Sequence, residues 1–344
     1  MPITDLNPTV SPTPASPTPV SPTPASLIPA ASADGLTLRV TAKRLIADGV
    51  CELTLTDPDG LRLPDWSPGS HIDVILPGDV VRQYSLCGDR WDPSTYRIAV
   101  LLEPEGRGGS TYIHHALAVG DLLPIGGPRN NFHLTPAPAH VFIAGGIGIT
   151  PILAMIRQIG FLGSEWTLHY GGRSRASMAY ADELADDPRV RLRPADEYGL
   201  LDIDEAIAES PDDAVIYCCG PEALLTAVQT VGDRLQPGHV HIERFVPREM
   251  SAPVRDKDFE VWCDRSRTSV TVTPDTSVID ALNAAGLSVL SSCRRGVCGT
   301  CQTDVLDGIP DHRDSILTDD ERAAGDSMLI CVSRSCTDRI TLDL

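Results

Sequence analysis

The feature that most restricts what this chain can fold into is a set of four cysteines, Cys293, Cys298, Cys301 and Cys331, separated by four, two and twenty-nine residues. The first three stand in "SCRRGVCGTC" and the fourth in "MLICVSRSC". Thiols crowded into one loop point to metal or redox chemistry rather than to packing. No basic stretch followed by an apolar one opens the sequence, so a cytoplasmic, reducing setting is expected and a disulfide framework is not. A structural zinc site generally joins two short Cys-x-x-Cys pairs, and one such pair is present here. Gly296 and Gly299 let the loop take left-handed turns that aim backbone N–H groups at whatever the sulfurs hold. The scattered Cys51, Cys87, Cys218 and Cys263 read as small buried hydrophobes.

The spacing is that of plant-type ferredoxins, whose four thiolates hold a 2Fe-2S cluster, and residues 258–344 resemble such a domain. A cluster of this kind moves one electron at a time. It needs a source and a sink.

The chain is long enough, at 344 residues, for two or three domains. Residues 1–33 carry the repeated Ser-Pro-Thr-Pro unit of "SPTPASPTPVSPTPAS" and little to bury, so they read as a disordered, polyproline-leaning tail. Residues 34–136 show short alternating runs such as "LTLRVTAKRL" and "HIDVILPG", with one helical stretch near "STYIHHAL"; these predict an antiparallel β-barrel. From residue 137 to 249 apolar strands alternate with helices, which predicts a doubly wound parallel α/β sheet. Residues 250–257 are a polar linker. Residues 258–344 open with a hairpin and a helix capped by Thr276 or Ser277, and they are expected to form a β-grasp, ferredoxin-like domain.

Two motifs sit where strands of the parallel sheet meet helices. "AGGIGITP" joins an apolar strand to a helix, with Pro151 in the first helical turn, and its open N-terminus suits a pyrophosphate. "YCCGPEALL" places Cys219, Gly220, Pro221 and Glu222 after a later strand, at the crevice where open sheets bind ligands. A plain strand-to-helix turn and a buried strand cysteine remain open for these residues. Together they resemble the NAD(P)H module of the ferredoxin-NADP reductase superfamily. That resemblance implies that Gly145, Gly146 and Gly148 approach the dinucleotide, that Thr150 faces the flavin edge, and that Cys219 borders the transferred hydride. Arg173 and Arg175 stand where the adenosine ribose lies, so either NADH or NADPH is open from the residues, and the resemblance favours NADH.

In the barrel, "RQYSL" matches the superfamily's flavin segment. There arginine pairs with phosphate, an aromatic ring walls the isoalloxazine and a short hydroxyl approaches its reactive edge. The positions carried over are Arg82, Gln83, Tyr84 and Ser85, with Ala99 and Val100 on a neighbouring strand. "EGRGGS" adds Arg107, Gly108, Gly109 and Ser110, whose backbone and hydroxyl, with the following helix, suit an anion. This second segment resembles the phthalate dioxygenase reductase and vanillate O-demethylase oxidoreductase family, which implies FMN rather than FAD. "HIERF" completes the match and implies that Phe245 covers the flavin until nicotinamide displaces it.

The family has the same domain order. It implies a reductase in which Ser85, Thr150, Cys219 and Phe245 position flavin and nicotinamide, with no acid–base residue; a redox chain self-contained in this way suits a monomer. Electrons would pass from NADH through FMN and the 2Fe-2S cluster to a separate terminal oxygenase of the Rieske non-haem iron type. A haem monooxygenase is the alternative partner, and a redox-sensing module the remaining one. The net charge of -19, from 28 basic against 47 acidic residues, argues against nucleic-acid binding and suits a partner with a basic docking face. No run approaches the roughly 18 apolar residues of a membrane span.

Overall fold

The computed structural model describes residues 35–344 apart from 79, 209, 212, 233, 236, 237, 249 and 251. The expected tail at residues 1–33 lies outside the described residues.

The first unit consists of β1 (Leu36–Ala47), β2 (Val50–Thr56), β3 (Ser70–Leu76), β4 (Val80–Ser85), β5 (Thr95–Leu101), α1 (Gly109–His115) and β6 (Leu122–Asn130). Its six strands form one antiparallel sheet in the order β4-β3-β6-β1-β2-β5. The chain leaving β4 bonds back to β5, Cys87 N–H donating to the Arg97 carbonyl at 2.9 Å, so the sheet rolls up on itself. Alternation puts Leu38, Val40, Leu53, Leu55, Ile72, Val74, Ile98 and Ile125 inside.

The second unit runs β7 (Ala139–Gly145), a 3-10 turn (Gly146–Gly148), α2 (Ile149–Leu162), β8 (Glu165–Gly172), α3 (Ala181–Leu184), β9 (Val190–Pro194), α4 (Ala195–Tyr198), α5 (Ile203–Ala208), β10 (Val215–Cys219), α6 (Glu222–Gly232) and β11 (Val240–Glu243). All five strands are parallel, in the order β11-β10-β7-β8-β9. The chain starts at β7 in the middle, builds outward to β9, then returns to β10. That reversal makes the gap between β7 and β10 the switch point, where ligands enter open sheets. β7 is buried at every position, as a central parallel strand must be. α2 is buried round most of its circumference because it lies between this sheet and the rolled one: Ala154 joins the core of the first unit, while Ile152, Met155 and Ile156 join the shared core. Gly163, at φ 74°, ends the helix in a left-handed cap.

The third unit comprises β12 (Phe259–Cys263), β13 (Thr268–Val272), α7 (Val278–Ala284), β14 (Gln302–Asp307), β15 (Pro310–Asp311), α8 (Asp319–Ala324), β16 (Ser327–Leu329), β17 (Arg334–Ser335) and β18 (Arg339–Leu342). Five of its strands make a mixed sheet, β13-β12-β18-β14-β16, under α7, while β15 pairs with β17. Of the two cap candidates the structure uses Ser277, whose Oγ accepts the Asp280 N–H at 3.2 Å. No helix among the described residues is long and apolar enough to cross a membrane.

Candidate functional site

The flavin candidates gather on β4. Arg82 is half-buried and donates from Nη2 to the Arg107 carbonyl at 2.9 Å. A Cβ at Gly109 would come within 2.8 Å of the Arg82 side chain, so the missing side chain lets that guanidinium lie against the Gly108–Ser110 turn. Burial lowers the Arg82 pKa, and Arg107 and Arg295 lower it further; Arg295, on the cysteine loop, is lowered in turn by burial and by Arg107. Three guanidiniums near one another gather positive charge that suits an anion. The turn itself enters α1 through Gly108 at φ 80°. That helix is seven residues long, so the arginines and not its end carry the charge. Ser110 is spent on the loop, its Oγ accepting the Glu103 N–H at 3.0 Å.

Next to Arg82 the strand offers a different environment. Ser85 and its register partner His71 are both buried, and Ser85 Oγ and His71 Nε2 are without hydrogen-bond partners. Buried polar atoms of this kind await a ligand or water. Burial and Arg129 push the His71 pKa down to about 4, so the ring is neutral at pH 7. Burial raises the Tyr84 phenol, which keeps its proton. The Gln83 amide, by contrast, is already committed: Nε2 donates to Asp73 at 2.8 Å and to Ser292 Oγ, next to the first loop cysteine, at 2.6 Å. Ala99 and Val100 are buried on β5, and the Val100 carbonyl meets His114 Nε2 at 2.8 Å.

At the switch point the glycines interlock. A Cβ at Gly148 would lie 2.2 Å from the Cys219 carbonyl oxygen, and one at Gly145 would lie 2.6 Å from Pro221 Cδ. Gly220 packs on Gly145 in the same way, at 3.0 Å. These three are glycine because two turns touch. Gly146 differs: its φ is 53° and nothing lies within 4 Å of its would-be Cβ, while its carbonyl accepts from Tyr170 OH at 3.2 Å. Thr150 is buried and its hydroxyl donates to the Ile147 carbonyl at 3.0 Å. Pro151 is buried in the first turn of α2.

Cys219 is buried and stands in register with Glu243 on β11, its thiol donating to Oε2 at 3.8 Å. Burial pushes the Glu243 carboxyl up to about 8 and the Cys219 thiol well up, so the pair is mostly uncharged at pH 7. Sequence reasoning missed Glu243, although "HIERF" contains it. Glu222 is turned away from the crevice toward the buried Arg244, 3.3 Å off, which also donates to Gln229 at 2.8 Å. Phe245 follows, 36% exposed, with its carbonyl accepting from Arg295 Nη2 at 3.5 Å. Arg173 is exposed, and Arg175 is engaged by Asp182 at 3.0 Å.

The four loop cysteines are all buried. They associate two by two: Cys293 with Cys298, and Cys301 with Cys331. Hydrogen bonding from Cys293 brings Cys298 down to about 5, and bonding with Cys331 lowers Cys301. Among the described residues no three His, Cys, Asp or Glu side chains converge to hold a single ion. Four thiolates at this spacing are the donor set of a 2Fe-2S cluster. The loop's N–H groups already point at sulfur, Arg295 N–H to Cys293 Sγ at 3.3 Å and Cys293 N–H to Cys298 Sγ at 3.4 Å, while Thr300 Oγ1 lies 3.2 Å from Cys298 Sγ. Gly296 and Gly299 have φ of 69° and 71°, the left-handed turns such a loop needs.

The family model for 2Fe-2S iron-sulfur cluster binding domains matches residues 262–336. Over 312 residues the chain is 44% identical to the phenoxybenzoate dioxygenase subunit beta of Ectopseudomonas oleovorans, covering 90% of this chain and 97% of that protein. It is 35% identical to the phthalate dioxygenase reductase of Burkholderia cepacia, over 90% and 97% of the two chains. Among solved structures, a phthalate dioxygenase reductase described as modular for electron transfer from pyridine nucleotides to a 2Fe-2S centre aligns with TM-score 0.66 and 34% identity, over 90% of this chain and 98% of that one. An intact type IV self-sufficient cytochrome P450 monooxygenase aligns with TM-score 0.85 and 45% identity over 90% of this chain. The present chain spans 41% of that longer one.

Proposed function

This chain belongs to the phthalate dioxygenase reductase family of oxygenase reductases, and on that premise we propose that it passes electrons from NADH through FMN and a 2Fe-2S cluster to a separate Rieske-type oxygenase, acting as a monomer. It is an NAD(P)H-dependent oxidoreductase carrying a flavin and a 2Fe-2S domain, and an oxygenase component takes its electrons. The observation that carries the fuller reading is the hydrogen bond from Gln83 to Ser292, 2.6 Å long, which sets the flavin strand directly against the cysteine loop.

FMN, when bound, accepts a hydride and releases its electrons singly, which is the conversion a nicotinamide and a one-electron cluster require between them. The chain's own residues then divide the remaining tasks. Arg82, Arg107 and Arg295 concentrate positive charge at one spot, which suits the terminal phosphate dianion of FMN better than the spread charge of a diphosphate diester. Tyr84 walls the ring and the Ser85 hydroxyl meets its reactive edge. Gly146 gives its backbone to the dinucleotide, while Gly145, Gly148, Gly220 and Pro221 hold the crevice in shape. Thr150 and the uncharged Cys219–Glu243 pair border the nicotinamide, where no proton need be exchanged. Phe245 covers the flavin face. Cys293, Cys298, Cys301 and Cys331 bind the cluster.

A second reading, a reductase for a haem monooxygenase, is favoured by the TM-score of 0.85 to the self-sufficient P450 chain against 0.66 to the phthalate dioxygenase reductase. The test of the first is anaerobic titration with NADH and chromatography of the flavin released by boiling. FMN and bleaching of an iron-sulfur spectrum are expected; a colourless or FAD-loaded protein overturns the reading. Replacing Cys331 by Ala should abolish cytochrome c reduction while NADH–ferricyanide turnover persists. Faster electron delivery to a haem monooxygenase than to a Rieske oxygenase would favour the second reading.

A further inference from the structure

The cysteine loop is held against the rolled sheet at two points that bracket its first two thiols. At one end Ser292, the residue before Cys293, has its hydroxyl between two groups of the sheet: it accepts from Gln83 Nε2 at 2.6 Å and donates to Asp73 Oδ1 at 2.7 Å. Gln83 Nε2 also donates to Asp73 Oδ1 at 2.8 Å, which closes a three-membered ring of bonds. The other carboxylate oxygen of Asp73 accepts from Arg129 Nη2 at 2.5 Å, so the buried charge at the centre is matched from within the sheet. At the other end Asn131, just past β6, donates from Nδ2 to the carbonyl of Cys298 at 2.9 Å. Its amide occupies the space a side chain at Gly299 would need, 2.8 Å from that would-be Cβ.

β4 thus carries two functions. Arg82, Tyr84 and Ser85 serve the flavin reading; Gln83, between them, reaches the iron-sulfur unit. We propose that Ser292 and Asn131, with Gln83 and Asp73 behind Ser292, are positioning residues that fix the distance and orientation of the cysteine loop relative to the flavin strand. This deepens the reductase reading and rests on it. NADH would give a hydride, two electrons and a proton, to the flavin; one electron at a time would then cross the seam, reducing one ferric ion of the cluster to ferrous and leaving for the outside acceptor before the second follows, while the flavin returns its proton to water. Ser292, Asn131 and Asp73 are not among the positions assigned to flavin or nucleotide, so their loss should slow the crossing and leave the earlier hydride step alone. The bonds described at the two points are all polar, so removing them takes away what is seen to hold the loop there.

The experiment is anaerobic stopped-flow mixing of the full-length holoprotein with excess NADH, reading flavin bleaching and iron-sulfur bleaching as separate phases. For the double variant Ser292→Ala with Asn131→Leu, the flavin phase should stay within about twofold and the cluster phase should slow by about tenfold or more. Ser292→Thr, which keeps the hydroxyl, should restore the Ser292→Ala loss. Gln83→Leu and Ser292→Ala should be non-additive, because each breaks the same ring. Backbone hydrogen exchange over residues 290–301 should rise in the same variants, with or without turnover. An unchanged cluster phase and unchanged exchange in an iron-replete double variant overturn the proposal, as does equal slowing of both phases. If the double variant loses iron, Ser292→Ala and its Thr rescue carry the test. A wild-type protein that shows no flavin phase with NADH defeats the reductase reading instead, and the exchange data then decide the seam alone.

Discussion

The rolled sheet meets its two neighbours in opposite ways. Against the parallel sheet it shares a core: Val50, Cys87, Ala99 and Phe132 pack with Phe142, Ile152, Met155, Trp166, Tyr170, Tyr180 and Tyr217 in one continuous apolar cluster. A polar chain runs from this buried junction to the surface, from Cys87 Sγ to Tyr180 OH at 3.3 Å, from Tyr180 OH to Glu52 Oε2 at 2.9 Å, and from the exposed Arg44 Nε to Glu52 Oε1 at 2.9 Å. Against the iron-sulfur unit there is no such merger. That unit's core, built on Val261, Ile279, Leu282, Leu329 and Ile340, is its own, and the bonds described between it and the rolled sheet are polar. Hydride transfer tolerates little misplacement, so the junction that serves it is welded. On the proposed route the cluster meets both a flavin and an outside protein, and a polar seam lets it be held without being merged.

The strongest way to break this contrast is to hollow out each core in turn. Phe142 is fully buried at the junction, with its ring 5.8 Å from that of Tyr217. Phe142→Ala should cost about 3–5 kcal/mol and lower the unfolding of both sheets together, read by fluorescence of the buried Trp166. The visible circular dichroism of the cluster should melt where it did before. Leu282→Ala, which costs about 2–5 kcal/mol in the third core, should do the converse: the cluster melts earlier and NADH–ferricyanide activity survives. Cluster and flavin units melting together in either variant would refute the separation.

How far these arrangements were legible depends on the range over which the residues interact. The cysteine spacing, the strand-turn-helix of Gly145 to Pro151 and the alternation around Arg82 to Ser85 are local patterns, and each appears in the sequence as it appears in space. What escaped was long-range. Glu243 is one acid in a short strand until parallel pairing sets it opposite Cys219. Gln83 reads as part of a flavin motif until Ser292, 209 residues on, takes its amide. The glycines of the switch point looked like room for a ligand, yet Gly145 and Gly148 are explained by the neighbouring turn that touches them. Arg295 is one of two arginines in the cysteine loop until folding brings its charge near Arg82 and Arg107.

Acid should weaken the rolled sheet through His71. Its folded pKa of about 4 lies below the ordinary 6.5, with burial and Arg129 opposing the charged ring and Asp73 favouring it. Between those values the unfolded chain binds more protons than the folded one, so stability rises with pH across this window and is lost as pH falls from 6.5 towards 4. The loss should approach at most about 3 kcal/mol. His71→Gln should flatten that slope in denaturant titrations at a series of pH values, and an unchanged slope would assign the acid sensitivity elsewhere. A smaller effect is expected at Tyr180, held at φ 60° with its hydroxyl between Cys87 and Glu52. Tyr180→Phe leaves Glu52 with Arg44 and, at 3.6 Å, Arg97, and should cost about 1–3 kcal/mol without disturbing the cluster.

The smallest effect on stability should come from the exposed rim of the welded junction, where Arg175 is paired with Asp182 at 3.0 Å. Exposed pairs of this kind contribute about 0–1 kcal/mol, so Asp182→Asn should hardly move the unfolding midpoint. Its effect on nucleotide choice should be larger. Arg175 follows β8, where the adenosine ribose of a bound nucleotide would lie, and while Asp182 neutralises it a 2'-phosphate meets little net positive charge. Removing the carboxylate frees the guanidinium, and the ratio of kcat/KM for NADPH over NADH should rise by up to about fivefold, the equivalent of one exposed ion pair. A ratio that does not move would show that Arg175 is not at the ribose and would return the nucleotide preference to Arg173. Because the change is made on the rim, it alters which nucleotide the junction accepts while leaving the junction itself intact, which is what a welded core with an adjustable edge should allow.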